Sequence, residues 1–156
     1  MKRNRRRSLD SQHGVAAIEF ASVFAALFLL FYGIATFGSI FQTQQAVARA
    51  AEDGVRAVAS LPNGTLPDAT RVRAVVYDSL ASSLMVPLAS GQTTATRRAW
   101  IAAHVQVAVT TSGGNVTVTV GHRYSDNPLL PSMSLPGASQ WLPDQMTRRA
   151  TAVRPT

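Results

Sequence analysis

The sequence predicts an α+β chain built from a long N-terminal helix, a second helix and a small antiparallel sheet. Three observations carry that expectation. Residues 20–48 hold no Asp, Glu, Lys or Arg. Apolar residues recur at helical spacing on both sides of a break at "LPNG", 61–64. From residue 104 onward the apolar period becomes two. At 156 residues the chain has room for one modest domain and an anchor.

The elements follow in order. Residues 1–14 form a basic leader in which Lys2, Arg3, Arg5, Arg6 and Arg7 stand against Asp10, so +4 of the net +7 lies there and +3 is spread over the other 142 residues. A nucleic-acid surface needs a basic stripe on a folded face, and this charge is instead gathered beside an apolar run, so no nucleic-acid partner is expected. Residues 15–41 read as a transmembrane helix. The predominantly apolar part, Phe20 to Phe41, is 22 residues long and would rise roughly 33 Å against a hydrocarbon core of about 30 Å. Five cations before the run and none after it until Arg49 predict an N-terminus that stays in the cytoplasm, with everything beyond about residue 42 outside.

Nothing breaks the helix as it leaves the membrane. In "QTQQAVARAAEDGVRAVAS", residues 42–60, Val47, Ala50, Ala51, Val55 and Val58 share one stripe. Arg49, Glu52, Asp53 and Arg56 fall on the opposite side, where Arg49–Asp53 and Glu52–Arg56 form opposite-charge i,i+4 pairs. One continuous helix from Val15 to Ser60 is therefore expected, its first half suited to lipid and its second to a protein partner. Residues 61–156 form the head. Within it, a helix from about Pro67 to Leu84 has Asp68 as N-cap and a Val72, Val76, Leu80, Leu84 stripe. Residues 87–98 read as a loop. "HVQVAVTTSGGNVTVTVGHRY" then reads as a hairpin about Gly113-Gly114, with Val109 facing Val118 and Val107 facing Val120. Residues 125–145 hold four prolines and read as an irregular crossing, and "MTRRATAVR" can supply a third strand.

Other chemistry is sparse. The chain has no cysteine, which excludes disulfides, a thiol nucleophile and Cys-ligated metal. His104, His122 and Asp126 lie in or beside the hairpin without ligand spacing, and the two histidines are expected at an edge or facing solvent. Arg97–Arg98 and Arg148–Arg149 read equally as a basic face or as solvated strand ends, and Trp100 and Trp141 as core or domain-edge aromatics. No phosphate loop, nucleophile elbow or catalytic carboxylate pair is present. The chain is read as a non-enzyme with no cofactor and no metal site. Gly33 and Gly38, five apart, do not make the GxxxG pattern. The twin arginines of "RRRSL" echo a Tat signal, but a secretory apolar region is about 7–15 residues and this one is longer.

The exception is Glu19, one carboxylate near the start of a segment long enough to cross a bilayer. A charge at mid-membrane costs about 2.5–3.5 kcal/mol on insertion scales, and such groups usually face a partner. Its setting is "GVAAIEF", residues 14–20, after a short basic leader and before about 20 apolar residues. That arrangement resembles the processing site of type IV pilins and pseudopilins, and the N-terminal third down to "QTQQAVARAAEDGVRA" resembles the TadE-like pseudopilins of the tight-adherence (Flp) branch. The C-terminal "VTVTVGHRY" and "MTRRATAVR" are more loosely similar to the sheet domain of that group. TadE-like chains commonly have an acidic residue where this one has Thr36, and an arginine where it has Ser39.

The resemblance implies cleavage between Gly14 and Val15 by a membrane-embedded prepilin peptidase, with Glu19 and Phe20 serving in assembly. It implies a processed minor pilin or pseudopilin, single-pass in a bacterial inner membrane with its C-terminal domain periplasmic or extracellular, acting in a Tad/Flp pilus or secretion system. The implied partners are the inner membrane, the peptidase, other pilins, and an assembly platform with its ATPase. An uncleaved single-span envelope protein with an exported binding domain is the competing expectation, and a Tat- or Sec-exported soluble enzyme is a third.

Overall fold

A computed structural model describes residues 6–61, 68–87, 93–130 and 143–153, with side chains described from Gly14 onward. Three helices, α1 (Arg6–Ala59), α2 (Ala69–Ala81) and α3 (Thr94–His104), are followed by three strands, β1 (Val105–Ser112), β2 (Asn115–His122) and β3 (Met146–Val153). This is the α+β architecture that the sequence predicts. The chain divides into two compact units, Met1–Gly38 and Ser39–Thr156.

Helix α1 is unbroken over 54 residues. It begins inside the basic leader, earlier than expected, because no proline or glycine interrupts the residues before Gly14. At its far end the backbone tightens: the Ser60 N–H donates to the Arg56 carbonyl at 3.0 Å and the Leu61 N–H to the Val58 carbonyl at 3.1 Å. The stop at 61–64 lies outside the described residues beyond Leu61.

In the Ser39–Thr156 unit, the expected stripe of α1 is the core. Val47, Ala50, Ala51, Val55 and Val58 are buried, together with Val72, Val76 and Leu80 of α2 and Val116, Val118 and Val120 of β2. Small residues on α1 let α2 and the sheet approach it closely. A Cβ added at Gly54 would lie 2.8 Å from Val76 Cγ2 and 3.2 Å from Val118 Cγ1, and both valines are fully buried. Gly54 is thus the point where α1 touches α2 and β2 together.

Helix α2 begins and ends inside its expected span. Asp68 Oδ1 accepts the Thr70 N–H at 2.8 Å, the cap expected of it. At the other end the Ser82 and Ser83 hydroxyls donate to the Ser79 and Leu80 carbonyls, each at 2.7 Å, offering the backbone an alternative to another helical turn. Leu84 therefore leaves the Val72–Val76–Leu80 stripe and stands 64% exposed.

The loop expected at 87–98 is corrected over its second half, which is helical. Thr93 caps α3: its Oγ1 accepts the Thr96 N–H at 3.2 Å while Thr96 Oγ1 accepts the Thr93 N–H at 3.1 Å. Arg97 and Arg98 accordingly sit on α3 rather than at a strand end. Arg97 donates to the Ser83 carbonyl, and Arg98 pairs with Asp78 at 2.8 Å, so both tie α3 to α2 and the turn that follows it.

The sheet is antiparallel in the order β1-β2-β3. Val107 faces Val120 and Val109 faces Val118, the register that a two-residue turn demands. Gly113 (φ 57°) and Gly114 (φ 82°) both take the left-handed conformation that a type I′ turn requires and that side chains resist. β3 supplies the expected third strand, with Ala150 opposite Val118 and Met146 opposite His122. The outward face is rich in threonine, and the Thr117 and Thr151 hydroxyls bond at 2.9 Å.

Gly54→Ala should destabilise the head. A better helix former returns about 1 kcal/mol, but overpacking a filled core costs about 1–3 kcal/mol, so a net loss near 1 kcal/mol is expected. Thermal melts of the detergent-solubilised chain, followed by tryptophan fluorescence, should show a midpoint several degrees lower. An unchanged or raised midpoint would contradict the close packing at this residue.

Candidate functional site

In the N-terminal unit, "GVAAIEF" and the apolar run lie on one helix. Every residue from Gly14 to Phe31 is exposed. Among the described residues α1 is the one helix long and apolar enough to cross a membrane, and its most apolar stretch has no residue buried. Val15, Ile18 and Phe20 are 63%, 71% and 71% exposed, and an added Cβ at Gly14 would meet nothing within 4 Å. An apolar surface continuous on all sides of a helix is stable only in lipid or among other helices.

The side chains of that helix handle their polarity in two ways. Ser22 Oγ donates to the Ile18 carbonyl and Thr36 Oγ1 to the Tyr32 carbonyl, both at 2.8 Å. Each hydroxyl proton is satisfied one turn back along the helix. Glu19 has no such solution, because an ionised carboxylate only accepts and the interior of a helix offers no spare N–H. Among the described residues no ion pair or hydrogen bond reaches it. Phe20, Phe24, Phe28 and Tyr32 stack successively at 6.2, 6.4 and 6.4 Å between ring centres, making an aromatic ladder that starts beside Glu19. The spacing by four is visible in the sequence.

Lys2, Arg3 and Arg5 lie outside the described residues, and so do the side chains of Arg6 and Arg7, whose backbone is the first turn of α1. Trp141 and Pro131 and Pro136 of the crossing are outside them too.

In the Ser39–Thr156 unit, Ser39 and Thr43 begin the contacts of α1 with the head. Ser39 Oγ and the Tyr124 hydroxyl bond at 2.9 Å, and Tyr124 packs with Ile40 and Met146 in a small separate cluster. Arg148 reaches from β3 to Gln44 Oε1 at 2.9 Å. Ser39 is thus a contact to the head.

The expectation for His122 is corrected. His122 is 2% exposed, inside the sheet's core face, and it lies on the same parity as Val116, Val118 and Val120, which was the signal for its burial. Its Nδ1–H donates to the His104 carbonyl at 3.3 Å, closing the C-terminal end of α3 where β1 begins with no loop between. The His104 ring stacks on Trp100 at 4.4 Å, with its Nδ1–H on the Trp100 carbonyl at 2.8 Å, and the Trp100 ring lies 5.9 Å from that of His122. Asp126 pairs loosely with Arg123 at 3.9 Å. A polar hollow of about 310 Å³, lined by His104, Gln106, Arg123, Asp126, Asn127 and Gln145 among others, opens beside these residues.

Of the two expected helix pairs, Glu52–Arg56 forms at 3.9 Å and Arg49–Asp53 does not. Ser79 on α2 donates to Asp53 Oδ2 at 2.6 Å, and Arg56 approaches its Oδ1 at 3.9 Å. A neutral hydroxyl delivered by tertiary packing has taken the carboxylate that local spacing assigned to Arg49.

Residues 14–56 match the model of a family described as TadE-like protein. The match begins at Gly14, the glycine of "GVAAIEF", and ends three residues before the end of α1. It covers 43 of 156 residues, all of them on α1, and α2, α3 and the sheet lie beyond it. It agrees with the resemblance drawn from "GVAAIEF" and supports, at a coarse level, a part in Tad pilus assembly through a membrane-associated helix. No curated protein and no solved structure matches the chain.

Burial holds the His122 pKa below its usual 6.5; the His104 carbonyl and Asp126 oppose that shift, and the nearby His104 ring adds to it. A folded state that resists protonation is fully stable above pH 6.5 and loses stability as the pH falls through the lowered value. Denaturant melts at pH 7.5 and pH 5 should therefore show the head weaker in acid, and His122→Gln should flatten that difference. An equal acid loss in the variant would assign the effect to other groups.

Proposed function

We propose that this chain is a minor pilin or pseudopilin of a Tad/Flp-type pilus or secretion system, anchored in the bacterial inner membrane by α1 and working without enzymatic activity. The observation that carries the reading is the position of Gly14, Val15, Glu19 and Phe20 at the head of a fully exposed apolar helix within the TadE-like segment. The basic leader keeps the N-terminus cytoplasmic, and the head lies on the other side.

Prepilin peptidase would cut between Gly14 and Val15, removing the five leader cations and creating an ammonium group on Val15. A carboxylate and an ammonium in lipid are each costly, and pairing relieves both. Glu19 of one subunit would then meet the Val15 amine of a neighbour as helices pack, fixing their relative height. Other pilins, the assembly platform and its cytoplasmic ATPase complete the set of partners.

Two measurements test the reading. The intact mass of membrane-extracted protein should fall by the first 14 residues when prepilin peptidase is present and stay whole in its absence; a full-length mass in both supports the uncleaved envelope protein instead. Glu19→Ala should still insert and be cleaved yet fail to support piliation in cells without a wild-type copy. Normal pili from that variant would remove the pairing role.

A further inference from the structure

The three-stranded sheet ends in two unlike edges, β1 and β3. The two-residue turn makes Ser112 and Asn115 a hydrogen-bonded pair, and bonded pairs alternate from there along an antiparallel ladder. The N–H and C=O groups of Val107, Val109 and Thr111 therefore point away from β2. Val105 points out as well, but its N–H is already taken by the Ile101 carbonyl. Among the described residues no other backbone group reaches this edge. Val109 is only half-buried and Thr111 is exposed, although both lie on the parity of the core face, so the core is thinly covered at this end of β1.

An open edge is a template for another strand, and proteins usually blunt it with charge, proline or a bulge. β1, "VQVAVTTS", has none of the three: it holds no charge and no proline, and its eight pairs with β2 run one to one. β3 is different. Its Thr147, Arg149 and Thr151 backbone groups point outward, because Val116, Val118 and Val120 of β2 bond the residues between them. Arg148 and Arg149 stand on its two faces, Arg148 on Gln44 and Arg149 in no ion pair among the described residues. Two β3 edges together would gather the arginines of both copies, and like charges across strands are destabilising. A β3 edge beside the uncharged β1 edge meets no such conflict. Both strands run antiparallel to β2 and hence parallel to each other, so a copy shifted sideways in the same orientation meets β1 with β3 and extends the sheet. That contact is heterologous and does not close, as a filament subunit requires, whereas β1 on β1 stops at two copies.

We propose that the β1 edge of one copy accepts the β3 edge of the next, joining heads into a continuous sheet through main-chain hydrogen bonds. This rests on the filament-subunit reading above and is independent of cleavage at Gly14 and of any pairing of Glu19.

The chain has no cysteine, so engineered thiols report the contact cleanly. Thr110→Cys on β1 and Thr151→Cys on β3, both at exposed positions, are made as single variants of the full chain. The two positions share a row through Thr117, so a sideways shift brings Thr110 of one copy beside Thr151 of the next. Reconstituted in phosphatidylcholine vesicles and oxidised, the mixture should give disulfide dimers several-fold above either variant alone. It should exceed by as much a mixture of Thr110→Cys with Arg71→Cys, an exposed collision control on α2. Ala108 shares a row with Arg149 and gives a second readout. Added to the Thr110→Cys chain, Ala108→Glu should raise the mixed dimer and Ala108→Lys should lower it several-fold, with circular dichroism unchanged. Either charge opposes β1 on β1. Equal dimers from Thr110→Cys alone, or a mixed yield unmoved or lowered by both charges, would overturn the β1–β3 assignment. A mixture no better than the collision control would overturn the contact. A chain absent from the vesicles overturns the anchoring, whereas one that enters them without cross-linking overturns the edge pairing alone.

Discussion

Backbone amides and carbonyls in hydrocarbon must bond within their own helix, since nothing else there will take them. That constraint shapes the whole chain. It forbids a break in the apolar run, and α1 has none from Arg6 to Ala59. Helical hydrogen bonding does not stop where the apolar residues stop, and residues 47–58 of the same helix supply core of the Ser39–Thr156 unit. The chain then needs only to change which faces are apolar: all of them up to Phe41, and one stripe from Val47 to Val58. Small residues on the second stretch finish the design, since Ala50, Ala51 and Gly54 let a single helix be covered by both α2 and a three-stranded sheet.

Side-chain polarity obeys the same rule more loosely. Hydroxyls on α1 find acceptors one turn back: Ser22 and Thr36 within the apolar run, and Thr43 on the Ser39 carbonyl at 2.9 Å inside the head. Near Ser39 the polar groups turn outward to the head through Tyr124 and Arg148. A carboxylate cannot donate to a carbonyl one turn back, and among the described residues no hydrogen bond or ion pair reaches Glu19.

Much of this was legible in the residues because it depends on period alone. The buried stripe of α1, the Val107–Val120 register and the third strand all follow from counting by 3.6 or by two. What failed was what depends on a neighbour distant in sequence. Helix α3 has Ile101 as its one buried residue and a capping box made from two threonines, so it offered neither a stripe nor the usual Ser/Thr-x-x-Glu signature. Arg49–Asp53 had correct spacing, and only the arrival of Ser79 from α2 set it aside. His122 was the exception: its strand parity pointed inward, and the polar nature of the side chain obscured that. At the candidate site, the motif "GVAAIEF" was readable in full, because it is local in sequence.

The proposed pairing of Glu19 has a further consequence when its geometry is taken seriously. Val15 and Glu19 are four apart, so on a processed helix the new ammonium group and the carboxylate lie one turn from each other on one face. The fresh helix N-terminus adds its own partial positive charge to that end. An isolated subunit can therefore hold the pair within itself, and assembly exchanges an internal pair for one between neighbours. Such an exchange is close to neutral in energy, since each charge has an opposite partner before and after. The acid then contributes little to the drive for assembly, which must come from packing of the exposed apolar surface around Phe20–Tyr32. What the exchange retains is selectivity: any register that separates the two charges leaves both unpaired in lipid, and the cost of that error is large.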